Sequence, residues 1–239
     1  MEKKDIIQAI QYLREFSKKR NFSQTIDLII NLKGIDVKKQ GNNLDIFATL
    51  PHARKKKLKI CALVGYELSQ SAKIFDKVIV QDEFHKYQAN PKLVTELTRD
   101  YDMFVAQANL MGPIATTFGR TLGPKGLMPN PRSGAVAPPE SNLELLSIKL
   151  QKTVRLQTKK EAIVKAPVGS EDMKDEEIAD NVLSAYNTLV HSLPQEEHNI
   201  KNVVLKTTMG PAIKIGENKD HIQERLKPKE KPMKSKKNE

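Results

Sequence analysis

The chain has 239 residues, with 40 Lys+Arg against 29 Asp+Glu and a formal net charge of +11. That balance favours a polyanionic partner, nucleic acid or an acidic membrane surface. The one cysteine, Cys61, excludes an internal disulfide and points to a reducing compartment, and no apolar run approaches the roughly 18 residues of a membrane span.

The start, Met1-Glu2-Lys3-Lys4-Asp5, lacks the apolar core of a signal peptide. The five histidines, His52, His85, His191, His198 and His221, lack metal-ligand spacing. These features predict a soluble cytoplasmic protein, with no cofactor, no metal and no membrane partner. Residues 5–19 read as a helix, with Ile6, Ile7, Ile10 and Leu13 at helical steps. Phe22, Gln24, Ile26 and Leu28 then alternate with Ser23, Thr25 and Asp27, the pattern of a half-buried strand. Gly41-Asn42-Asn43 has turn chemistry. Leu44, Ile46, Ala48 and Leu50 alternate in a second strand that stops at Pro51.

The pattern changes after His52. Arg54-Lys55-Lys56-Lys57 leads into a near-continuous apolar run, 58–64, which suits a strand covered on both faces. Cys61 lies inside it and reads as a small buried hydrophobe. Val78-Ile79-Val80 and Met103–Ala106 are further strands of this kind. Asn90-Pro91 and Ser141-Asn142-Leu143-Glu144 open helices, the second by a capping-box pattern. The region reads as a small parallel βαβ unit.

After about residue 153 the alternating style returns. Val154–Gln157 and Ala162–Lys165 flank Lys159-Lys160 like a hairpin. Ile178, Val182, Tyr186, Leu189 and Val190 mark an amphipathic helix, ended by Pro194, and a strand over 202–209 follows. The predicted fold is therefore a discontinuous α+β domain with an antiparallel sheet, residues 1–53 and 154–216, interrupted by an inserted, Rossmann-like α/β domain, residues 54–153. The crossings near 53 and 153 would form a paired hinge; sequential domains are the alternative. Residues 217–239 carry eight Lys/Arg and five Asp/Glu, with almost nothing apolar. They are expected to be disordered alone, either ordering on phosphate or staying solvated.

Two motifs tempt toward catalysis. Gly119–Pro131 has a glycine-rich look, but its glycines are one residue too close for a phosphate-cradling loop. Pro124 lacks an N–H, and no Ser or Thr follows Lys125. It reads as a rigid exposed loop, with Arg120, Lys125 and Arg132 available to phosphates. The acidic run Glu171–Glu177 precedes a helix and reads as charge at the positive dipole end. With no nucleophile–base pattern, the chain is not expected to be an enzyme.

In the strand 202–209, Asn202, Val204, Lys206 and Thr208 share one face, and Val203, Leu205, Thr207 and Met209 the other. Beside the Ser23/Thr25/Asp27 face, the first would form a compact surface of hydroxyls, amide, carboxylate and ammonium. Such groups meet ribose 2′-OH and base edges, Lys206 attracts phosphate, and Gly210 admits close backbone approach. The plain alternative is an edge strand ending in a turn, with Met209 in the core. Phe22 points inward by alternation, yet the strand start could expose its ring. Asp27 either accepts from a guanine or holds a neighbouring lysine, or it is simply a solvated strand residue.

The segments "NFSQTIDLIINLKGID", "LPHARKK", "GRTLGPKGLMPNP", "APVGSEDM", "ADNV" and "KTTMGPA", in this order over residues 5–215, resemble the ribosomal protein L1 family, and the spelling is closer to its archaeal branch. The resemblance implies the same discontinuous two-domain architecture. It implies binding to the side-stalk region of large-subunit rRNA and help in releasing deacylated tRNA from the exit site, and it adds a second expectation, repression of the protein's own mRNA. It also implies a protein that is monomeric when free. Residues matching Phe22, Thr25, Asp27, Asn202, Thr208, Met209 and Gly210 line the family's RNA site. Asp27 stands where glutamate is common, and Asn202 where bacterial members carry serine. With Lys206 and Thr207 from the strand itself, these form the candidate RNA-binding set.

Overall fold

The computed structural model describes residues 1–35, 44–139, 141–159 and 161–226; the turn read at Gly41-Asn42-Asn43 lies outside them. The first elements are α1 (Lys3–Phe16), β1 (Thr25–Leu32) and β2 (Asp45–Thr49). The middle of the chain supplies β3 (Ile60–Val64), α2 (Tyr66–Ser69), β4 (Lys77–Val80), α3 (Phe84–Ala89), α4 (Pro91–Asp100) and β5 (Met103–Gln107), then α5 (Met111–Lys125), β6 (Val136–Ala137) and α6 (Leu143–Lys152). The chain then runs through β7 (Thr153–Gln157), β8 (Ile163–Ser170), α7 (Asp175–Val190), β9 (Ile200–Thr207), β10 (Ala212–Lys214) and α8 (Lys219–Leu226).

The two chain ends share one antiparallel sheet in the order β10-β9-β1-β8. Alternation decides its faces. Ile26, Leu28, Ile30 and Leu32 of β1 are buried, and the intervening residues are only partly covered. The inner face packs on α1, through Ile6, Ala9, Ile10 and Leu13, and on α7, through Ile178, Val182, Ala185 and Leu189. Among the described residues no helix packs on the outer face. Strands β2 and β7 form a separate antiparallel pair whose Ala48, Leu50, Val154 and Leu156 join the same core.

The hairpin expected around Lys159-Lys160 does not form. β7 pairs with β2, whereas β8 pairs with β1, so the two flanking strands belong to different sheets. Each strand alternates correctly, but alternation fixes only which face is buried. The partner is chosen by the core that the face must join.

The middle segment forms a parallel sheet in the order β4-β3-β5-β6. β3 is buried along its whole length, and its two faces feed two separate cores. Cys61 and Leu63 pack with Phe104, Ala106, Ile114, Phe118 and Leu122; Ile60, Ala62 and Val64 pack with Val105, Leu143 and Leu150. Burial pushes the Cys61 thiol up to about 12, so it is an inert core residue.

The glycine-rich stretch is not the exposed loop that its composition predicts. α5 runs through Gly119 and Gly123 to Lys125, with Pro124 in its last turn. Ile114, Phe118 and Leu122 recur every four residues and are fully buried, and this apolar stripe outweighs the breakers. Gly126, at φ 70°, ends the helix in the left-handed region, donating its N–H to Leu122 and Gly123. Asn142 rather than Ser141 caps α6, accepting from Glu144 and Leu145 N–H at 3.0 and 3.4 Å. The acidic run before α7 does what its position implies: Asp175, Glu176 and Glu177 occupy the first turn, and Asp175 accepts from Arg14 Nε at 2.8 Å.

The segment that follows β2 and the end of α6 lie side by side. Leu50 N–H donates to the Lys152 carbonyl at 2.9 Å. The Gln151 amide accepts from Leu58 N–H and donates to its carbonyl, both at 2.8 Å, acting as a strand partner. Within the segment read as tail, α8 (Lys219–Leu226) buries Ile222 in the core of the antiparallel sheet and Arg225 donates to the Ala212 carbonyl, whereas residues 227–239 lie outside the described residues. Ile222 anchors a helix that composition reads as tail.

Candidate nucleic-acid interface

β1 and β9 are direct neighbours, with Ile26 opposite Thr207, Asp27 opposite Lys206 and Asn31 opposite Asn202. Just past the end of β9, Thr208 N–H donates to the Thr25 carbonyl at 3.1 Å. The Thr208 hydroxyl accepts from Thr25 N–H at 3.2 Å and approaches the Thr25 carbonyl at 3.3 Å. Residues 183 positions apart thus form one corner on the outer, helix-free face of the sheet.

Thr208 and Met209 are exposed there, Met209 at 62%, and the Phe22 ring stands out at 52%. Phe22 and Met209 therefore do not pack inward, although alternation allows it. Asp27 is half-buried beside Lys206. Burial raises its carboxyl above the usual range, with the Lys206 and Arg54 charges opposing that shift.

Two candidates are placed elsewhere. Thr207 faces the interior, almost fully buried, and its hydroxyl bonds that of Ser17 at 3.1 Å. Strand alternation already puts it on the apolar side, and its polar atom is consumed by the protein. Asn202 accepts from Asn31 Nδ2 at 2.5 Å. It lies six strand residues from Thr208, about 20 Å away at ~3.3 Å per residue. The compact group is Thr25, Asp27, Lys206, Thr208, Met209 and Gly210, and Phe22 stands exposed just before β1.

The turn at this corner is held from beneath by Gln24, which is fully buried. Its carbonyl oxygen Oε1 accepts from Met209 N–H at 3.1 Å, and its Nε2 donates to Ser17 Oγ and to the Lys18 carbonyl at 3.4 and 3.3 Å. Gly210 is required by packing: a Cβ there would sit 2.0 Å from Thr207 Oγ1 and 2.9 Å from Ser17 Oγ. Ser23 donates to Asp172 Oδ2 at 2.5 Å and bonds Ser170 Oγ at 2.8 Å, fixing the other rim.

Sequence reasoning missed Gln24 and Ser17, whose roles depend on chain segments nearly 200 residues away. It also missed Lys165 and Lys214, which stand exposed on β8 and β10 in register with the outward residues of β1 and β9; alternation within those two strands was the available signal. Among the described residues no group of three His, Cys, Asp or Glu could hold a metal ion, and no helix is long and apolar enough to cross a membrane. What the arrangement offers is hydroxyl, amide and ammonium groups on a fixed sheet, chemistry suited to a sugar-phosphate chain.

Residues 13–211 match the ribosomal protein L1p/L10e family. The large ribosomal subunit protein uL1 of Thermococcus kodakarensis is 37% identical over 216 residues, covering 90% of this chain and 98% of the relative. Those of Pyrococcus abyssi, at 38% over 90% of this chain and 96% of the relative, and of Nanoarchaeum equitans, at 40% over 87% and 98%, are similar along nearly their whole length. The chain belongs to the ribosomal protein L1p/L10e family.

Proposed function

We propose that this chain is a structural, non-enzymatic component of the large ribosomal subunit, acting in the cytoplasm, and that it binds the side-stalk region of large-subunit rRNA through the outer face of the β10-β9-β1-β8 sheet. The observation that carries the reading is the Thr25–Thr208 corner. Two strands distant in sequence present hydroxyls, an ammonium and an exposed methionine at one point, over a buried framework that pre-sets their positions. Preformed groups lose little conformational entropy on binding, so recognition works by shape rather than by base stacking on aromatics.

The inserted segment fits a second role. Its cores draw on residues 60–150, the sheet of the chain ends draws on 6–50 and 154–222, and the segment that follows β2 runs beside the end of α6. This supports a discontinuous two-unit chain in which the middle unit swings about a paired hinge while the first stays on rRNA. Release of deacylated tRNA from the exit site follows as the use of that motion. The free protein is read as a monomer.

The test is direct binding to an RNA copy of the side stalk by calorimetry, with Thr208→Val as control. Binding of the parent to this RNA no tighter than to unrelated RNA of equal length sinks the proposal. A second reading, repression of the protein's own mRNA, uses the same surface, and binding to the leader transcript decides it separately.

A further inference from the structure

The first unit gives way to the middle one through Arg54-Lys55-Lys56, and this segment lines a cleft of about 520 Å³ that also includes Ser23 and Thr25. The cleft thus shares Thr25 with the proposed RNA corner. Its charged lining is Arg54, Lys55, Lys56, Asp102 and Asp172.

Most of these charges are already engaged. Lys55 Nζ donates to the Asp172 carbonyl at 2.7 Å, and the Asp172 carboxylate accepts from Ser23. Asp102 Oδ2 accepts from Lys59 N–H at 3.2 Å. Arg54 differs. Its Nε is shut off from solvent and finds no acceptor among the described residues. Its guanidinium forms no ion pair among the described residues. Asp27 and Asp102 lie near enough to act on it electrostatically, one from each side of the crossing, and burial works against its charge.

A partly buried guanidinium with a free donor is costly unless an acceptor reaches it. A planar fork of N–H groups matches two phosphate oxygens. We propose that Arg54, flanked by Lys55 and Lys56, binds a phosphodiester of the RNA seated on the neighbouring Thr25–Thr208 corner, so that the seat continues into the cleft at the crossing. This rests on the RNA reading above. Three cations against two carboxylates leave the lining a net charge of +1. That is too weak to capture a free phosphate dianion, but it is enough to hold one unit of a polyanion that the adjacent surface has already docked.

The experiment uses the full chain and the side-stalk RNA copy over a salt series. Arg54→Gln is expected to weaken binding about ten- to a hundredfold, as for a lost charge-assisted hydrogen bond. It also lowers the slope of log K on log salt by about one. Arg54→Lys restores most of the slope, and Thr208→Val weakens binding without altering it. In the parent protein the Arg54 Nε–H resonance shifts on adding RNA and not on adding inorganic phosphate. Parent-like affinity and slope for Arg54→Gln overturn the proposal. So does an Nε–H response to inorganic phosphate with an unchanged RNA slope, which marks an ordinary anion site. If Thr208→Val binds like the parent while Arg54→Gln flattens the slope, the corner reading falls and the cleft stands.

Discussion

Replacing Gly210 by alanine tests the framework beneath the corner. The new Cβ would lie 2.0 Å from Thr207 Oγ1 and 2.9 Å from Ser17 Oγ. Contact at 2.0 Å is far inside van der Waals range, so the Thr207 side chain must turn. Thr207 is almost fully buried, and turning it breaks the 3.1 Å bond to Ser17. Overpacking of this kind costs about 1–3 kcal/mol, and a lost hydrogen bond with a buried group left unpaired about 1 kcal/mol or more. The expected destabilisation is about 2–4 kcal/mol, or a fall in Tm of about 5–15 °C for a chain of this size. Calorimetry on Gly210→Ala, Thr207→Ala and the double variant gives the coupling. With Oγ1 gone, Gly210→Ala should cost below about 1 kcal/mol. An unchanged Tm for Gly210→Ala, or the same cost in the Thr207→Ala background, refutes the packing argument. A loss of RNA affinity without loss of stability assigns the glycine to the ligand instead.

Three further outcomes follow from the same contacts. Thr208→Val removes an exposed hydroxyl that also accepts from Thr25 N–H; it should weaken side-stalk RNA binding by about 1–3 kcal/mol while costing about 1 kcal/mol or less of stability, and unchanged affinity by calorimetry removes Thr208 from the interface. Because burial raises the Asp27 carboxyl above its ordinary value of 3.8, the native state binds the proton more tightly than the unfolded chain. Stability from Asp27 is therefore present at low pH and declines as pH rises through the raised value. Asp27→Asn should abolish that decline, so its stability relative to the parent grows from about pH 4 upward, and parallel urea midpoints across pH would contradict it. Ile222→Ala should destabilise by about 2–4 kcal/mol, whereas ending the chain after Leu226 should chiefly flatten the salt dependence of RNA binding; no effect of Ile222→Ala on Tm means that α8 contributes nothing to the core.

The parts legible in the sequence are those whose cause is local. Ile26, Leu28 and Ile30 alternate because one sheet face meets helices and the other does not. The run Ile60–Val64 is apolar throughout because both its faces are covered. α5 shows how local cues mislead when they compete. Gly119, Gly123 and Pro124 argue for a loop, but Ile114, Phe118 and Leu122 fill a core, and burying three large side chains outweighs breakers placed on the exposed side and in the last turn. α8 repeats the lesson, since Ile222 is buried in a segment otherwise rich in charge. The hairpin expected at 154–165 is absent for another reason: strand pairing depends on two segments, and β7 and β8 each find a better partner elsewhere, in β2 and β1.

The candidate site divides along the same line. Thr25 and Thr208 could be placed on an exposed corner because each strand's alternation is self-contained, and because hydroxyls at a strand end are seldom needed by a core; alternation puts Met209 with the apolar face, and it is exposed because β9 ends at Thr207 before reaching it. Gln24 could not be placed. In its own strand it occupies an inward position like Ile26, where a polar amide looks like a defect. Its role appears only when Met209 N–H, the Ser17 hydroxyl and the Lys18 carbonyl converge on it. The same holds for Gly210, whose lack of a side chain reads from sequence as room for a ligand, while its neighbours Thr207 and Ser17 require it for packing. Those two demands coincide for a physical reason. A backbone that a ligand can approach closely from outside must be supported tightly from inside, and a turn supported by buried hydroxyls leaves no volume for a Cβ. The exposed residues of the corner therefore carry the contacts, and the buried polar residues beneath them carry the geometry.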